Sequence, residues 1–122
     1  MLINCTNHRY EIWGEKQREV SRNLYGEVYE LPFPAIDPTA GNDIIRKTVD
    51  EYFDRIKSLN PTAVLVAGEF SFTFMLTDKL LKEGYKVVTT CSRRETVEVK
   101  NENGSEKKSV FLFERFREYE YY

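Results

Sequence analysis

The chain alternates short apolar runs with longer segments in which apolar residues recur every three or four positions. Apolar or alternating runs bounded by polar residues, glycine or proline predict strands, and they span residues 1–5, 27–33, 62–68 and 85–92. Segments with helical spacing predict amphipathic helices, and they span residues 14–26, 42–60 and 71–84. Because strands and helices strictly alternate, the pattern predicts parallel strands joined by right-handed helical crossovers.

The pattern changes after residue 92. Residues 95–100 and 108–116 alternate or run apolar, and the segment between them contains Asn103-Gly104, a pair typical of β-hairpins. We expect this hairpin either to extend the same sheet or to serve as a dimer arm. The predicted fold class is α/β: a Rossmann-like three-layer sandwich of about four parallel strands and three helices, followed by a C-terminal β-hairpin.

Size and composition predict one soluble domain that spans residues 1–122. The net charge of -2 argues against duplex nucleic acid as a partner, because duplex binding needs many cations. No apolar segment is long enough to cross a bilayer, so no membrane association is expected. Cys5 and Cys91 form no metal or disulfide pattern, which favours free thiols in a reducing cytoplasm. We expect no metal, since the chain has no CxxC motif and no His/Cys cluster. We expect no cofactor, since neither a GxGxxG nor a GxxxxGK[ST] motif occurs.

Polar residues follow three of the predicted strands. They occupy Thr6–His8 after the first strand, Gly68–Thr73 after the third and Thr89–Glu95 at the end of the fourth. Open parallel sheets bind ligands in the crevice beyond the carboxyl ends of their strands. These three segments are therefore the candidate ligand-binding region, and the freed amides of a helix N-terminus suit an anion or a nucleotide there.

The residues around Gly68 allow two interpretations. Glycine lets a ligand approach the backbone closely, and Ser71 and Thr73 place hydroxyl groups near the positive end of the following helix. Alternatively, one glycine between a strand and a helix is simply a turn, and Glu69 only favours the helix dipole. Spacing alone leaves both interpretations open.

Arg93 and Arg94 are adjacent guanidinium groups after a buried strand, and such groups suit phosphate because they are always charged and donate in a bidentate fork. The alternative is a solvated hairpin start paired with Glu95 or Glu98. His8 is the only histidine, a residue type whose unperturbed pKa lies near neutrality, so it is a candidate general acid or base. A histidine in a loop also serves simply to pack or to cap.

These segments resemble a known family. The stretch AGEFSFT (67–73), the stretch TTCSRRETVE (89–98), the charged hairpin and VFLFERFREY (110–119) are similar to the small single-domain CRISPR-associated proteins with a CARF-like Rossmann fold, the ring nucleases of type III systems. The resemblance is most specific from Val64 to Tyr119 and weaker over residues 4–17 and 30–38. Similar proteins often have a serine at the start of the first helix, where this chain has Gly14.

The resemblance implies a ligand, an assembly and a set of binding residues. The ligand is a cyclic oligoadenylate second messenger, with cyclic tetra-adenylate expected, bound at the two-fold axis of a homodimer. Cleavage of that messenger switches off type III CRISPR signalling. The implied binding residues lie in the three polar segments and are Thr6, Asn7, Gly68, Phe70, Ser71, Thr73, Ser92 and Arg93.

The expected chemistry is metal-independent cleavage of a phosphodiester. A ribose 2′-OH aligned with the neighbouring phosphorus attacks it, and the products are linear oligoadenylates with a 2′,3′-cyclic phosphate. Glu69 or His8 is expected to accept the 2′-OH proton, while Arg94 stabilises the developing charge. The candidate catalytic residues are therefore His8, Glu69 and Arg94.

Three other functions are compatible with the same residues. The chain can be a sensor or sponge that binds the messenger without cleaving it, because the same arginines and turn serve both roles. It can also be an unrelated small enzyme acting on a nucleotide or a phosphorylated metabolite, since the fold supports many chemistries. A purely structural dimer requires the polar strand ends to be idle.

Overall fold

The computed structural model describes residues 1–122 and contains one five-stranded sheet and three helices. The strands are β1 (Leu2–Thr6), β2 (Val28–Glu30), β3 (Ala63–Ala67), β4 (Val87–Asn101) and β5 (Gly104–Glu118). The helices are α1 (Glu15–Tyr25), α2 (Asn42–Leu59) and α3 (Phe70–Lys82), and a short 3-10 turn spans Tyr10–Ile12. None of the three helices has the length and apolarity that crossing a membrane requires.

The strand order is β2-β1-β3-β4-β5, with β1 to β4 parallel and β5 antiparallel to β4. This arrangement confirms the predicted α/β class with four parallel strands, three helices and a C-terminal hairpin. The chain leaves β1 toward β2 on one side and later returns to place β3 on its other side. A topological switch point therefore lies between β1 and β3, where open α/β sheets bind ligands.

The helices cover both faces of the sheet. On one face, α2 and α3 pack on β1, β3 and the start of β4 through a cluster that includes Val49, Ile56, Phe72 and Leu76. On the other face, a smaller cluster joins Leu2, Trp13, Leu65, Val88 and Phe116, and α1 packs against it through Val20 and Tyr25. Ala67 at the end of β3 and Thr90 and Ser92 in the first half of β4 are not fully buried.

Two strand boundaries differ from the sequence expectation. Strand β2 ends at Glu30 rather than at residue 33, because Pro32 has no backbone N–H to donate to a neighbouring strand. Strand β4 begins at Val87 and runs without a break to Asn101, joining the predicted segments 85–92 and 95–100, with only a register shift between Cys91 and Ser92. The predicted hairpin therefore extends the same sheet.

The hairpin turn has a simple local basis. Asn101 pairs with Gly104 across a two-residue loop, and the backbone N–H of Asn103 donates to the Asn101 side-chain oxygen at 3.0 Å. Gly104 has φ +116°, a conformation that favours glycine over residues with a Cβ. The Asn-Gly pair thus closes the turn as its sequence indicates.

Candidate functional site

A groove of about 790 Å³ opens at the carboxyl ends of β1 and β3, beside Thr90 and Ser92 in the first half of β4. It lies on the face that α1 covers, since Leu65 belongs to the core cluster of that face and also lines the groove. The last residues of β1 and β3, Thr6 and Ala67, lie at its floor, so the groove occupies the switch point of the sheet. Polar side chains on its walls include Thr6, His8, Lys16, Gln17, Ser92 and Glu114.

A buried asparagine fixes the loop after β1. Asn4 is fully buried in the middle of β1, and its amide group donates to the His8 carbonyl at 2.8 Å and to the Glu30 carboxylate at 2.9 Å. The Asn4 side-chain oxygen accepts from the Thr6 hydroxyl at 2.8 Å, and Glu30 also accepts from the Tyr10 backbone N–H at 2.7 Å. A polar network that is centred on a buried amide, with its members paired, fixes one backbone conformation.

His8 has a fixed main chain and a free side chain. Its carbonyl accepts from Asn4, from the Thr6 hydroxyl at 3.0 Å and from the Trp13 indole N–H at 3.0 Å, and its own N–H donates to Thr6 at 3.1 Å. Every one of these bonds involves the main chain, and the exposed imidazole has no partner within the chain. The loop therefore holds the main chain of His8 rigidly at the groove and leaves its imidazole unpaired.

Aromatic side chains form one wall of the groove. Trp13 and Phe113 both pack against Phe116, with ring centroids 6.3 and 4.9 Å from it. Phe111 also lines the groove, but it is 69% exposed and makes no aromatic contact. Its ring is therefore available to stack on a planar ligand group, whereas the other two rings are already engaged.

Three charged residues meet at the edge of the groove. The Glu114 carboxylate accepts from Arg93 Nε at 3.1 Å and lies 3.6 Å from the Lys16 ammonium. The hydrogen bond from Arg93, together with the charge of Lys16, lowers the pKa of Glu114 below its ordinary value. Arg93 itself does not line the groove, and its guanidinium reaches the groove only through Glu114.

The second arginine of the pair takes a different direction. Arg94 donates from Nη2 to the Ser109 hydroxyl at 3.1 Å, across the hairpin, and it does not line the groove. Adjacent residues of a strand present their side chains on opposite faces, so the two guanidinium groups contact different partners. Within one chain they form no shared phosphate clamp.

Glu69 caps the N-terminus of α3. Its carboxylate accepts from the backbone N–H groups of Ser71 and Phe72 and from the Ser71 hydroxyl. These bonds, with the Ser71 hydroxyl as the largest contributor, lower the pKa of Glu69. The first free amides of α3 are thereby satisfied by the chain's own carboxylate.

Packing accounts for the glycine that precedes this cap. A Cβ at position 68 would lie 2.3 Å from Cζ of Phe33, whose ring packs edge-on against Phe72 with centroids 5.2 Å apart. The absence of a side chain at Gly68 thus lets the loop after β2 close over the end of β3. This contact lies on the face of α2 and α3.

The structure brings together only part of the predicted site. Thr6, His8 and Ser92 line one groove. Phe70 is 90% exposed and the Thr73 hydroxyl has no hydrogen-bond partner. Neither of them, nor any of the remaining predicted site residues, lines the groove. The predicted residues outside the groove are Asn7, Gly68, Glu69, Phe70, Ser71, Thr73, Arg93 and Arg94, and their ligand contacts stay predictions.

Sequence reasoning missed several residues that line the groove or support the loop beside it. Asn4 had a signal, because an amide in the middle of an apolar strand must find buried partners. No sequence signal marks Lys16, Phe111 or Glu114, because these residues meet only when α1 and β5 approach the ends of the strands.

The cysteines and the acidic residues form no further site. Burial raises the pKa of the Cys5 thiol to about 12, so this group is a poor nucleophile. Cys91 is a second free thiol. No three His, Cys, Asp or Glu side chains come together in a way that suits a metal ion.

Comparison with known proteins gives one result. No curated protein and no solved structure matches the chain. The family model described as "Uncharacterized protein MJ1673 family" matches residues 1–117. Because this match spans nearly the whole chain, the protein belongs to the MJ1673 family.

Proposed function

We propose that this protein binds a cyclic oligoadenylate, cyclic tetra-adenylate in particular, in the groove at the ends of β1 and β3, and cleaves it. Cleavage proceeds without a metal, by attack of a ribose 2′-OH on the neighbouring phosphorus, and it ends type III CRISPR signalling. The observation that carries the proposal is the unpartnered imidazole of His8, held by a rigid loop at the switch point of the sheet. The resemblance of residues 64–119 to ring nucleases supplies the identity of the ligand.

The groove suits the parts of an oligoadenylate. Phe111 offers a free aromatic face for stacking on a base, and Thr6 and Ser92 offer hydroxyl groups for ribose or base edges. Lys16 and Arg93 bring positive charge to the rim of a chain whose net charge is -2. A local cationic rim is enough for one cyclic ligand, although it does not suit a long duplex.

A homodimer gives the ligand a matching symmetry. A cyclic tetranucleotide has a two-fold axis, so two copies of the chain related by C2 symmetry offer identical contacts to opposite nucleotides. Ile12, Phe111 and Leu112 are exposed apolar residues at the mouth of the groove, which supports a second copy closing over it. In that assembly the two grooves form one larger ring-shaped site.

The bond changes are those of RNA self-cleavage. The 2′-oxygen bonds to phosphorus, the bond from phosphorus to the 5′-oxygen of the next nucleotide breaks, and the product is a linear chain with a 2′,3′-cyclic phosphate and a 5′-OH. His8 accepts the 2′-OH proton, and that proton passes to the departing 5′-oxygen. Holding the attacking oxygen in line with phosphorus lowers the barrier by on the order of 7 kcal/mol.

The other two candidate catalytic residues take different parts in this proposal. Glu69 acts by holding the start of α3, since its carboxylate is occupied by the backbone there. Arg94 donates to Ser109 in the free chain and stabilises ligand phosphate from the hairpin of the dimer. Proton transfer therefore falls to His8.

Binding without cleavage is the second candidate function. It is favoured by the cap at α3, because Glu69 is engaged there and the groove keeps only His8 of the three candidate catalytic groups. A sensor or sponge needs the same groove and the same cations. The nature of the product, rather than affinity, separates the two functions.

We assign the activity to the cytoplasm, where a cyclic nucleotide messenger acts. The free thiols of Cys5 and Cys91 suit a reducing compartment.

Chromatography of the reaction products tests the proposal. The purified protein is incubated with cyclic tri-, tetra- and hexa-adenylate in the presence of EDTA, and each mixture is separated and weighed by mass spectrometry. We expect linear products ending in a 2′,3′-cyclic phosphate from cyclic tetra-adenylate. An intact ring with a raised melting temperature identifies a binder, and no melting shift with any ring rejects both functions.

A further inference from the structure

Glu114 contacts two cations at the rim of the groove. Lys16 comes from the first turn of α1, Arg93 from β4 and Glu114 from β5, so three elements meet at one carboxylate. Of all the carboxylates in the chain, only Glu114 makes salt bridges to two different cations. Neither Lys16 nor Arg93 has another side-chain partner.

A carboxylate between two cations occupies the place that a phosphate oxygen would take. Guanidinium and ammonium groups donate to phosphate oxygens as they do to carboxylate oxygens, and both attract an anion of higher charge more strongly. The side chains of Lys16, Arg93 and Glu114 are all at least two-fifths exposed, so water competes for every contact. Exposed ion pairs of this kind are weak, so an anion of higher charge displaces the carboxylate readily.

We propose that Lys16 and Arg93 form a phosphate subsite of the groove and that Glu114 occupies this subsite in the free chain. Ligand phosphate displaces the Glu114 carboxylate, which swings away while the two cations stay. Glu114 therefore lowers affinity for anionic ligands and restricts the groove to those with enough charge to compete. The subsite needs only phosphate oxygens. A single phosphodiester carries the same charge as the carboxylate, so its assignment to cyclic oligoadenylate, whose ring carries one such charge per nucleotide, rests on the proposed function.

The chain offers two matched controls for this idea. Glu15 also lines the groove but makes no salt bridge, so Glu15→Gln removes the same charge from the same groove without freeing a cation. Glu118 lies on β5 like Glu114 but pairs with Lys86 away from the groove. A general effect of net charge would raise anion affinity in all three variants, whereas displacement of the carboxylate would raise it in Glu114→Gln alone.

Isothermal titration at low ionic strength measures the effect, with inorganic pyrophosphate and cyclic tetra-adenylate as separate probes. Because pyrophosphate must break the two exposed ion pairs of Glu114 in the wild type, we expect Glu114→Gln to bind pyrophosphate about fivefold more tightly. We expect Glu15→Gln and Glu118→Gln to change the affinity less than twofold. Adding Lys16→Ala or Arg93→Ala to Glu114→Gln removes the gain. Melting curves confirm that each variant is folded.

The two probes separate this inference from the proposed function. If pyrophosphate shows the pattern and cyclic tetra-adenylate does not bind, the subsite stands and the proposed function fails. If cyclic tetra-adenylate binds and Glu114→Gln brings no gain with either probe, the subsite is overturned and the proposed function stands. Equal gains in the three glutamate variants, or no pyrophosphate binding to any of them, also overturn it.

Discussion

The loop after β1 and the turn after β3 have the same kind of sequence but use their polar groups differently. Each follows a buried strand, and each precedes a helix. In the first, buried Asn4 and Trp13 hold the main chain of His8 and leave the imidazole free in the groove. In the second, the Glu69 carboxylate is hydrogen-bonded to the backbone at the start of α3. Polar residues at a strand end thus mark a candidate site, and their internal partners decide whether they are free to act.

The largest expected effect is on catalysis at the first region. His8→Ala removes the proton acceptor, and we expect turnover of cyclic tetra-adenylate to fall by roughly 10²-fold or more, with affinity changed only a few fold. Single-turnover assays and titration calorimetry measure the two quantities separately. Lys57→Ala, on the exposed end of α2, is the control and keeps full activity. Unchanged turnover in His8→Ala removes His8 from the chemistry.

The support of that loop gives the next effect. Asn4→Ala deletes the side chain that holds His8, Thr6 and Glu30, and the loss of its three hydrogen bonds costs roughly 2 kcal/mol of unfolding free energy. Urea denaturation measures it. Ser58→Ala, which removes one exposed hydroxyl bond, is the control and changes stability by less than about 0.5 kcal/mol. A similar small loss in Asn4→Ala would show that the network does not hold the loop.

The second region is expected to respond in stability rather than in chemistry. Gly68→Ala places a methyl group against the Phe33 ring and costs roughly 1 to 2 kcal/mol of unfolding free energy by overpacking. Phe33→Leu in the same chain relieves the contact. The double variant therefore loses less unfolding free energy than the two single variants lose together. Additive losses would mean that Phe33 is not what Gly68 accommodates.

The smallest effect concerns the cap of α3. Glu69→Ala costs roughly 1 kcal/mol at neutral pH. Because the pKa of Glu69 is lowered in the folded chain from an ordinary value of 4.5, its stabilisation is present above that value and is lost as the pH falls through the folded pKa. Denaturation at pH 7 and in acid measures the difference, which shrinks in acid, while exposed Glu51→Ala shows no comparable loss. A loss independent of pH contradicts the cap.

Sequence patterns predicted the architecture well because each element carries its own signal. Helix α2 has apolar residues at helical spacing and ends before Pro61, and Asn103-Gly104 closes the hairpin. The placement of Thr6 and His8 at the groove follows from their positions at the end of β1, whereas Ser92 reaches it from within β4, which continues to Asn101.

The remaining parts of the site depend on contacts that no local pattern encodes. Glu114 meets Lys16 and Arg93 through strand pairing near the register shift at Cys91 and Ser92. The divergence of Arg93 and Arg94 likewise follows from their lying within one continuous strand instead of at its end. The role of Gly68 depends on Phe33, which arrives from a loop distant in sequence.

Because His8 is the only histidine, its imidazole signals in a proton-carbon NMR spectrum are assigned without ambiguity. Titration with cyclic tetra-adenylate tests the central claim directly, since the claim places the ligand against this ring. The account predicts a saturable shift of the His8 ring signals together with the Thr6 and Ser92 amides. An unmoved imidazole, with shifts gathered instead at Ser71 and Phe72 on the start of α3, would contradict it.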